Sequence, residues 1–123
     1  MEPFVLRPEP LGDDPGAVTP ALTSAFLAAR EALEAGRPVV VVLAAGDLLG
    51  QGSPLDAGVA TGLLGMVRTF AIEGAKPGWQ INVVAGGEGD EEAVEETVAM
   101  LAGSALSGQL LQVDATNLGK LVP

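Results

Sequence analysis

A chain of 123 residues has room for one compact domain, residues 1–123. Six Lys plus Arg against sixteen Asp plus Glu leave a net charge of −10, which disfavours a nucleic-acid partner and a cationic membrane-surface helix. A composition 48% hydrophobic and 18% charged excludes disorder and asks for an aliphatic core, since the aromatic residues are three Phe and one Trp.

In chain order, Phe4-Val5-Leu6 is a short apolar run that reads as a strand, and Leu11 to Ala17 (LGDDPGA) reads as loop. Thr19-Pro20 places an N-cap before a Pro at the first helical position. Leu22, Phe26, Ala29 and Leu33 then recur at helical spacing, Arg30, Glu31 and Glu34 supply a polar face, and Gly36 stands where a left-handed C-cap belongs. Val39 to Leu43 is β-branched without alternation, the pattern of a strand buried on both faces of a parallel sheet. Asp47 to Pro54 is a Gly-rich loop.

From Leu55 to Glu73 the residues Val59, Leu63, Met66, Val67 and Phe70 keep helical spacing. Between them lie Ala57, Gly58, Ala60, Gly62 and Gly65; each Gly weakens a helix by up to ~1 kcal/mol unless a close neighbour exploits it. Gln80 to Ala85 is a second buried-type strand, broken by Gly86-Gly87. Asp90 and four glutamates open a helix over Glu91–Ala102, where acid favours the positive end of the helix dipole. Gln109 to Val113 is the last strand, followed by a tail with Asn117, Gly119 and Pro123. This order predicts an α/β, Rossmann-like three-layer fold: a parallel sheet of about four strands, three main helices and right-handed crossovers.

Chemically, the chain is defined by what it lacks. Without Cys it has no disulfide, thiolate nucleophile or Cys-based zinc site. Without His it has no imidazole base, and without Tyr no phenolic acid. Met1 to Pro10 contain no basic stretch leading into an apolar one, and the longest apolar run, Val39 to Ala45, is far below the ~20 residues of a membrane span. A soluble, cytoplasmic protein is expected.

The stretch Gly62 to Ala85, GLLGMVRTFAIEGAKPGWQINVVA, resembles the short-chain dehydrogenase/reductase family. In that family a Leu-Gly-Leu-x-Arg-x-Leu-Ala-x-Glu helix leads to an Ile-Arg-Val-Asn-x-Val strand. Gly65, Arg68, Ala71, Glu73, Ile81, Asn82 and Val84 stand in matching or nearly matching places, and Leu101 to Asp114, LAGSALSGQLLQVD, is similar to the family's Ser-Gly, strand, Val-Asp ending. The resemblance implies a truncated member lacking the half that holds the dinucleotide. It also implies where chemistry is missing. The positions of the family's Tyr and Lys fall on Asp56 and Ala60, its catalytic Ser falls near Leu43, Ala44 and Ala45, and its Pro-Gly is Gly86-Gly87. No catalytic residue, cofactor or metal is therefore expected.

The remaining site candidates have plainer readings. The run Gly46 to Gly52 lacks the spacing of a phosphate loop and carries Asp47. Asp47, Asp56 and Glu73 could form a carboxylate site, but Asp56 and Glu73 lie about 25 Å apart along one helix at ~1.5 Å per residue, and Asp56 suits a helix start. Glu88, Asp90, Glu91, Glu92, Glu95 and Glu96 read as a solvated helix start. Arg68 reads as a pairing or contact residue, and Trp79 equally as a lid over the core edge or a ligand platform.

In the family, the helices corresponding to Thr19–Ala35 and Asp56–Glu73 pack against the same pair of a second subunit. The resemblance thus places an oligomer interface at Phe26, Arg30, Ala57, Ala60, Leu64 and Arg68, in a homodimer, a homotetramer or a hetero-oligomer with an active relative. Two functional classes follow: a non-catalytic structural or regulatory subunit, or a small-molecule binder or unconventional enzyme using the crevice near Ala44–Asp47 and Ala85–Gly87.

Overall fold

The two β-branched runs form the centre of the sheet. In the computed structural model, which describes residues 2–113, β2 (Val39–Ala44) pairs in parallel with β3 (Ile81–Gly86) over all six residues of each. Shorter parallel strands flank them, β1 (Phe4–Leu6) beside β2 and β4 (Leu110–Gln112) beside β3, so the order is β1-β2-β3-β4. Strand β1 has only three residues and is tied down from outside the ladder. The Arg37 guanidinium lies 5.6 Å from the centre of the Phe4 ring and donates to the Pro3 carbonyl at 3.3 Å.

Both sheet faces are covered, as a run without alternation demands. Val39, Val41, Leu43, Ile81 and Val83 face the helices α1 (Val18–Glu34) and α3 (Pro54–Glu73). Val40 and Val84 face α4 (Glu91–Ala102), packed against Val94, Val98 and Leu101. The result is the expected three-layer parallel α/β architecture with three main helices. One feature of the expectation is corrected. The strand order steps in one direction throughout, yet α4 crosses on the face opposite α1 and α3. Its connection therefore has the reverse hand of the other two, against the right-handed rule. With only three long helices, a third on the α1/α3 side would leave Val40 and Val84 in water.

Local boundaries also shift. Thr19 is not the N-cap of α1; a 3₁₀ turn at Pro15–Ala17, inside the expected loop, feeds the helix at Val18. Asp14 caps that turn by accepting from the Gly16 amide at 2.9 Å, and Pro20 sits in the first turn of α1, where an amide has no partner to lose. Gly36 does adopt the left-handed conformation, with φ +79°. A short helix, α2 (Ala45–Leu48), occupies the start of the expected Gly-rich loop, with Ala45 fully buried. Ser53 caps α3, its hydroxyl accepting from the Leu55 amide at 3.2 Å. The tail residues Asn117, Gly119 and Pro123, with Asp114, lie outside the described residues.

An aromatic row closes the lower core. Phe26 stacks on Phe70 at 5.1 Å, and Trp79 meets Phe70 edge-on at 5.9 Å, so Trp79 is a lid over the core edge. At Gly74 a Cβ would lie 2.6 Å from the Trp79 Cβ, so this close approach requires glycine.

Asn82 is the one buried polar side chain among the described residues, and its partners explain its place in a strand of aliphatics. Its amide donates to the Leu106 carbonyl at 2.8 Å, and its oxygen accepts from the Gln109 amide at 3.0 Å. Gln80 adds bonds to the carbonyls of Leu101 and Ser104, and together they fasten the α4–β4 loop and align β4. Replacing Asn82 by Ala removes two part-buried hydrogen bonds to the backbone of the α4–β4 loop, each contributing about 0.5–1.5 kcal/mol. Asn82→Ala is expected to lower the urea midpoint by the equivalent of roughly 1–3 kcal/mol, the amides of β4 losing protection first in hydrogen exchange.

Candidate functional site

In a parallel sheet the carboxyl ends of all strands point one way, and ligands of open α/β sheets bind in the crevice outside those ends. Three connections rim that crevice here: the segment after β1, the α2 loop after β2, and the Gly86-Gly87 turn after β3. The positions that the family resemblance marks as chemical converge in it. Ala44, Asp56 and Ala60 line one cavity of about 150 Å³ together with Val42, Asp47 and Val59. The resemblance therefore points to residues that the fold does bring together, without the side chains that would act there.

The cavity also has a roof, made by Pro8, Glu9 and Pro10. Asp56, in the first turn of α3, accepts a 2.9 Å hydrogen bond from the amide of Leu11. The carboxylate is thus spent on backbone from another segment, and it does not act as the N-cap of α3, a role held by Ser53. Asp47 stands beside it. Partial burial and then the charge of Asp56 push the Asp47 pKa up. Glu73 lies at the other end of α3, outside this group.

On the α4 side, a second cavity of about 290 Å³ is lined by Arg7, Pro8, Val42, Ala44, Gly86, Gly87, Glu91 and Glu95, among others. Its one cation, Arg7, is engaged in an exposed ion pair with Glu95. At Gly86 a Cβ would lie 2.5 Å from Val94 Cγ2, so this glycine serves the seating of α4 on the sheet. Asp90, Glu91 and Glu92 occupy the start of α4. A pyrophosphate brought here would meet carboxylates where dinucleotide sites present free amides. Among the described residues no group of three or more carboxylates is arranged to hold a metal ion.

The residues expected at an oligomer interface separate in space. Ala60 is 2% exposed and packs inside the chain's own core, so its small side chain serves α3 against its own sheet. Phe26 is 41% exposed, Arg30 is exposed and paired with Glu34 at 2.8 Å, and Arg68 is exposed. Ala57 and Leu64 are half-buried. Between the α1 and α3 candidates runs a ridge at helical spacing, Gly58, Gly62, Gly65, Thr69 and Ile72, all exposed. Although α3 has the length and hydropathy of a membrane-crossing helix, Val59, Leu63, Val67 and Phe70 pack it into the core.

No protein-family model matches the chain, and no curated protein matches it in sequence. Among solved structures it is similar to a double variant of a Serratia marcescens short-chain dehydrogenase/reductase, with 18% identity and a TM-score of 0.59. The similarity covers 86% of this chain and 56% of that one. The fold is short-chain-dehydrogenase-like, and the chain spans little more than half the length of that protein. At this identity the likeness concerns the backbone, and the side chains in the crevice must be judged on their own geometry.

The roof, Pro8 to Leu11, is the part that periodicity missed. Its only signal was the Pro8/Pro10 pair, which cannot enter a ladder freely, since Asp56 reads as a helix-start acid. Asp47 supplies the test of the electrostatics. Its folded pKa lies above the unfolded value, so the native chain binds this proton more readily than the unfolded one. Ionised Asp47 therefore lowers stability at neutral pH, and the penalty fades as pH falls through its folded pKa. Asp47→Asn is expected to raise the melting temperature at pH 7 by about 1–3 °C, the two proteins converging below about pH 4.

Proposed function

We propose that this chain is a non-catalytic, short-chain-dehydrogenase-like subunit that works by association, as a structural or regulatory partner of its own copies or of an active relative, in the cytoplasm. The observation that carries the reading is the state of the crevice. By the resemblance, Asp56 and Ala60 stand at the family's acid and tuning positions and Ala44 near the position of its Ser, and the chain's own Pro8–Pro10 segment lines the same small cavity as all three. Neither a carboxylate holding a backbone amide nor a methyl group hands a proton to a carbonyl during hydride transfer.

The outer face of α1 and α3 supports the second part. Phe26, Leu27 and Ile72 are exposed there at 41%, 57% and 78%. A groove between the helices is lined by Leu22, Thr23, Phe26, Gly62 and Met66. Between its ends α3 carries a single charge, Arg68, in a chain of net charge −10. Two copies meeting there avoid most of the repulsion that any other approach would incur. Gly58 and Gly65 leave room for a facing helix, an added Cβ there meeting nothing within 4 Å, while Gly62 gives its space to Leu22 of α1. A buried area of ~800 Å² per partner, at ~25 cal/mol per Å² of its apolar part, is sufficient to hold a dimer against the cost of association.

Gly65 separates folding from association. A Cβ there meets nothing within 4 Å in the chain itself, and a helix interior prefers most residues to Gly by up to ~1 kcal/mol. Gly65→Arg is expected to leave the melting curve of the isolated chain unchanged or slightly raised while converting a dimer to monomers in sedimentation at micromolar concentration. A wild-type chain that is already monomeric at that concentration, and does not bind an active relative, defeats the association reading.

The catalytic half of the reading is tested by cofactor. Millimolar NAD(H) or NADP(H) is expected to leave the melting temperature within about 1 °C of the apo value, because a ligand without affinity for the native state contributes no linkage. A rise of several degrees would favour the small-molecule reading of the crevice instead.

A further inference from the structure

The segment between β1 and the 3₁₀ turn does more than connect them. Three cavities at the carboxyl ends of the strands share Pro8 as a wall. One of about 150 Å³ lies over Asp47 and Asp56, one of about 290 Å³ faces α4, and one of about 420 Å³ lies against the apolar inner faces of α1 and α3. The third is walled by Leu6, Leu11, Ala25, Val59 and Leu63, with Arg7, Pro8 and Glu9 opposite. Small-molecule sites usually occupy about 300–1,000 Å³. The segment therefore stands between three spaces, of which the one against α1 and α3 already falls in that range and the other two fall below it.

Few interactions hold it there. On the α3 side the Leu11 amide donates to Asp56, and the Leu11 side chain packs partly buried against the core. On the α4 side Arg7 pairs with Glu95, an exposed pair of the kind that contributes little. Pro8 and Pro10 donate no hydrogen bond and fix their own φ, which stiffens the stretch between the two ties. Just beyond Leu11, Gly12 takes φ +69°, a conformation that frees the chain to turn. The segment is thus a stiff stretch held at its two ends, with a glycine of left-handed conformation just beyond it.

We propose that Arg7–Leu11 is a strap latched by Asp56, which lifts as a unit when the Leu11 amide is released and merges the three cavities into one crevice while the sheet stays folded. The family's acid position has thereby become the catch of a cover. This inference is separate from the association reading, because the strap and the residues over which it lies are not those of the outer α1/α3 face.

Hydrogen exchange on the full chain tests it. In the wild type, the Leu11 amide is expected to exchange through an opening that leaves Val41 and Val83 in the central strands protected. Asp56→Ala is expected to speed Leu11 exchange by about tenfold or more, with Val41 and Val83 unchanged relative to each other and to the wild type. Asp56→Asn, which retains an acceptor, is expected to stay near the wild type. The neutral dye Nile red is expected to fluoresce more strongly with Asp56→Ala than with the wild type, through access to the wall of Leu6, Ala25 and Leu63. If Asp56→Ala does not fold, exchange of the wild type in increasing urea decides between the outcomes. Leu11 exchanging in step with Val41 and Val83 overturns the proposal, as does equal acceleration at all three amides or an unchanged dye signal from a folded Asp56→Ala.

Discussion

Burial of β2 and β3 on both faces is the constraint on which the rest of the structure depends. Val39, Val40, Val41, Val83 and Val84 are each at most 1% exposed, so every one of them needs an opposing layer. Helices α1 and α3 cover one side, and α4 must cover the other. That requirement accounts for the reversed hand of the last connection. It also accounts for Gly86, which lets α4 approach the strand end closely enough for Val94 to reach the sheet. Because α4 meets β4 from the unusual side, the loop between them needs fastening, and Asn82 and Gln80 fasten it through backbone groups of residues 101–109.

The elements that were legible in the residues are those with many repeats of a simple signal. Two β-branched runs without alternation marked β2 and β3, and the helical spacing of Val59, Leu63, Val67 and Phe70 marked α3 as a core helix. Signals carried by one or two residues were less secure. Thr19-Pro20 looked like a helix start, but Asp14 and the 3₁₀ turn before it extended the helical winding upstream, and a Pro is accommodated anywhere in a first turn. The hand of the α4 connection was not legible at all, since it depends on which sheet face remains open after α1 and α3 have packed.

The same division applies to the crevice. Asp56 and Ala60 could be placed at the family's chemical positions by counting residues, because α3 is an unbroken helix with a fixed phase. Ala60 also entered the expected interface, on the ground that a small residue invites a close helix. Periodicity alone assigns it inward, since Ala60, Leu63 and Val67 share a stripe, and the structure buries it there. The strap was invisible for a different reason. Arg7 to Leu11 forms no regular element, and its position depends on a partner 45 residues away in the chain, at Asp56.

A carboxylate at position 56 behaves differently from the phenol that the family resemblance would place there. A phenol in a crevice offers a proton and a ring edge, and it needs an open approach for substrate. A carboxylate offers only acceptors, and in a partly desolvated place it must receive hydrogen bonds or lose its charge. Here Asp56 receives such a bond from the Leu11 amide, at the end of the segment that lines the cavity. Asp47, with its pKa pushed up beside Asp56, shows the strain of having two such groups there when only one has an amide to accept. With Asp56 holding the Leu11 amide, the Pro8–Pro10 segment lines the same small cavity as Asp56 and Asp47.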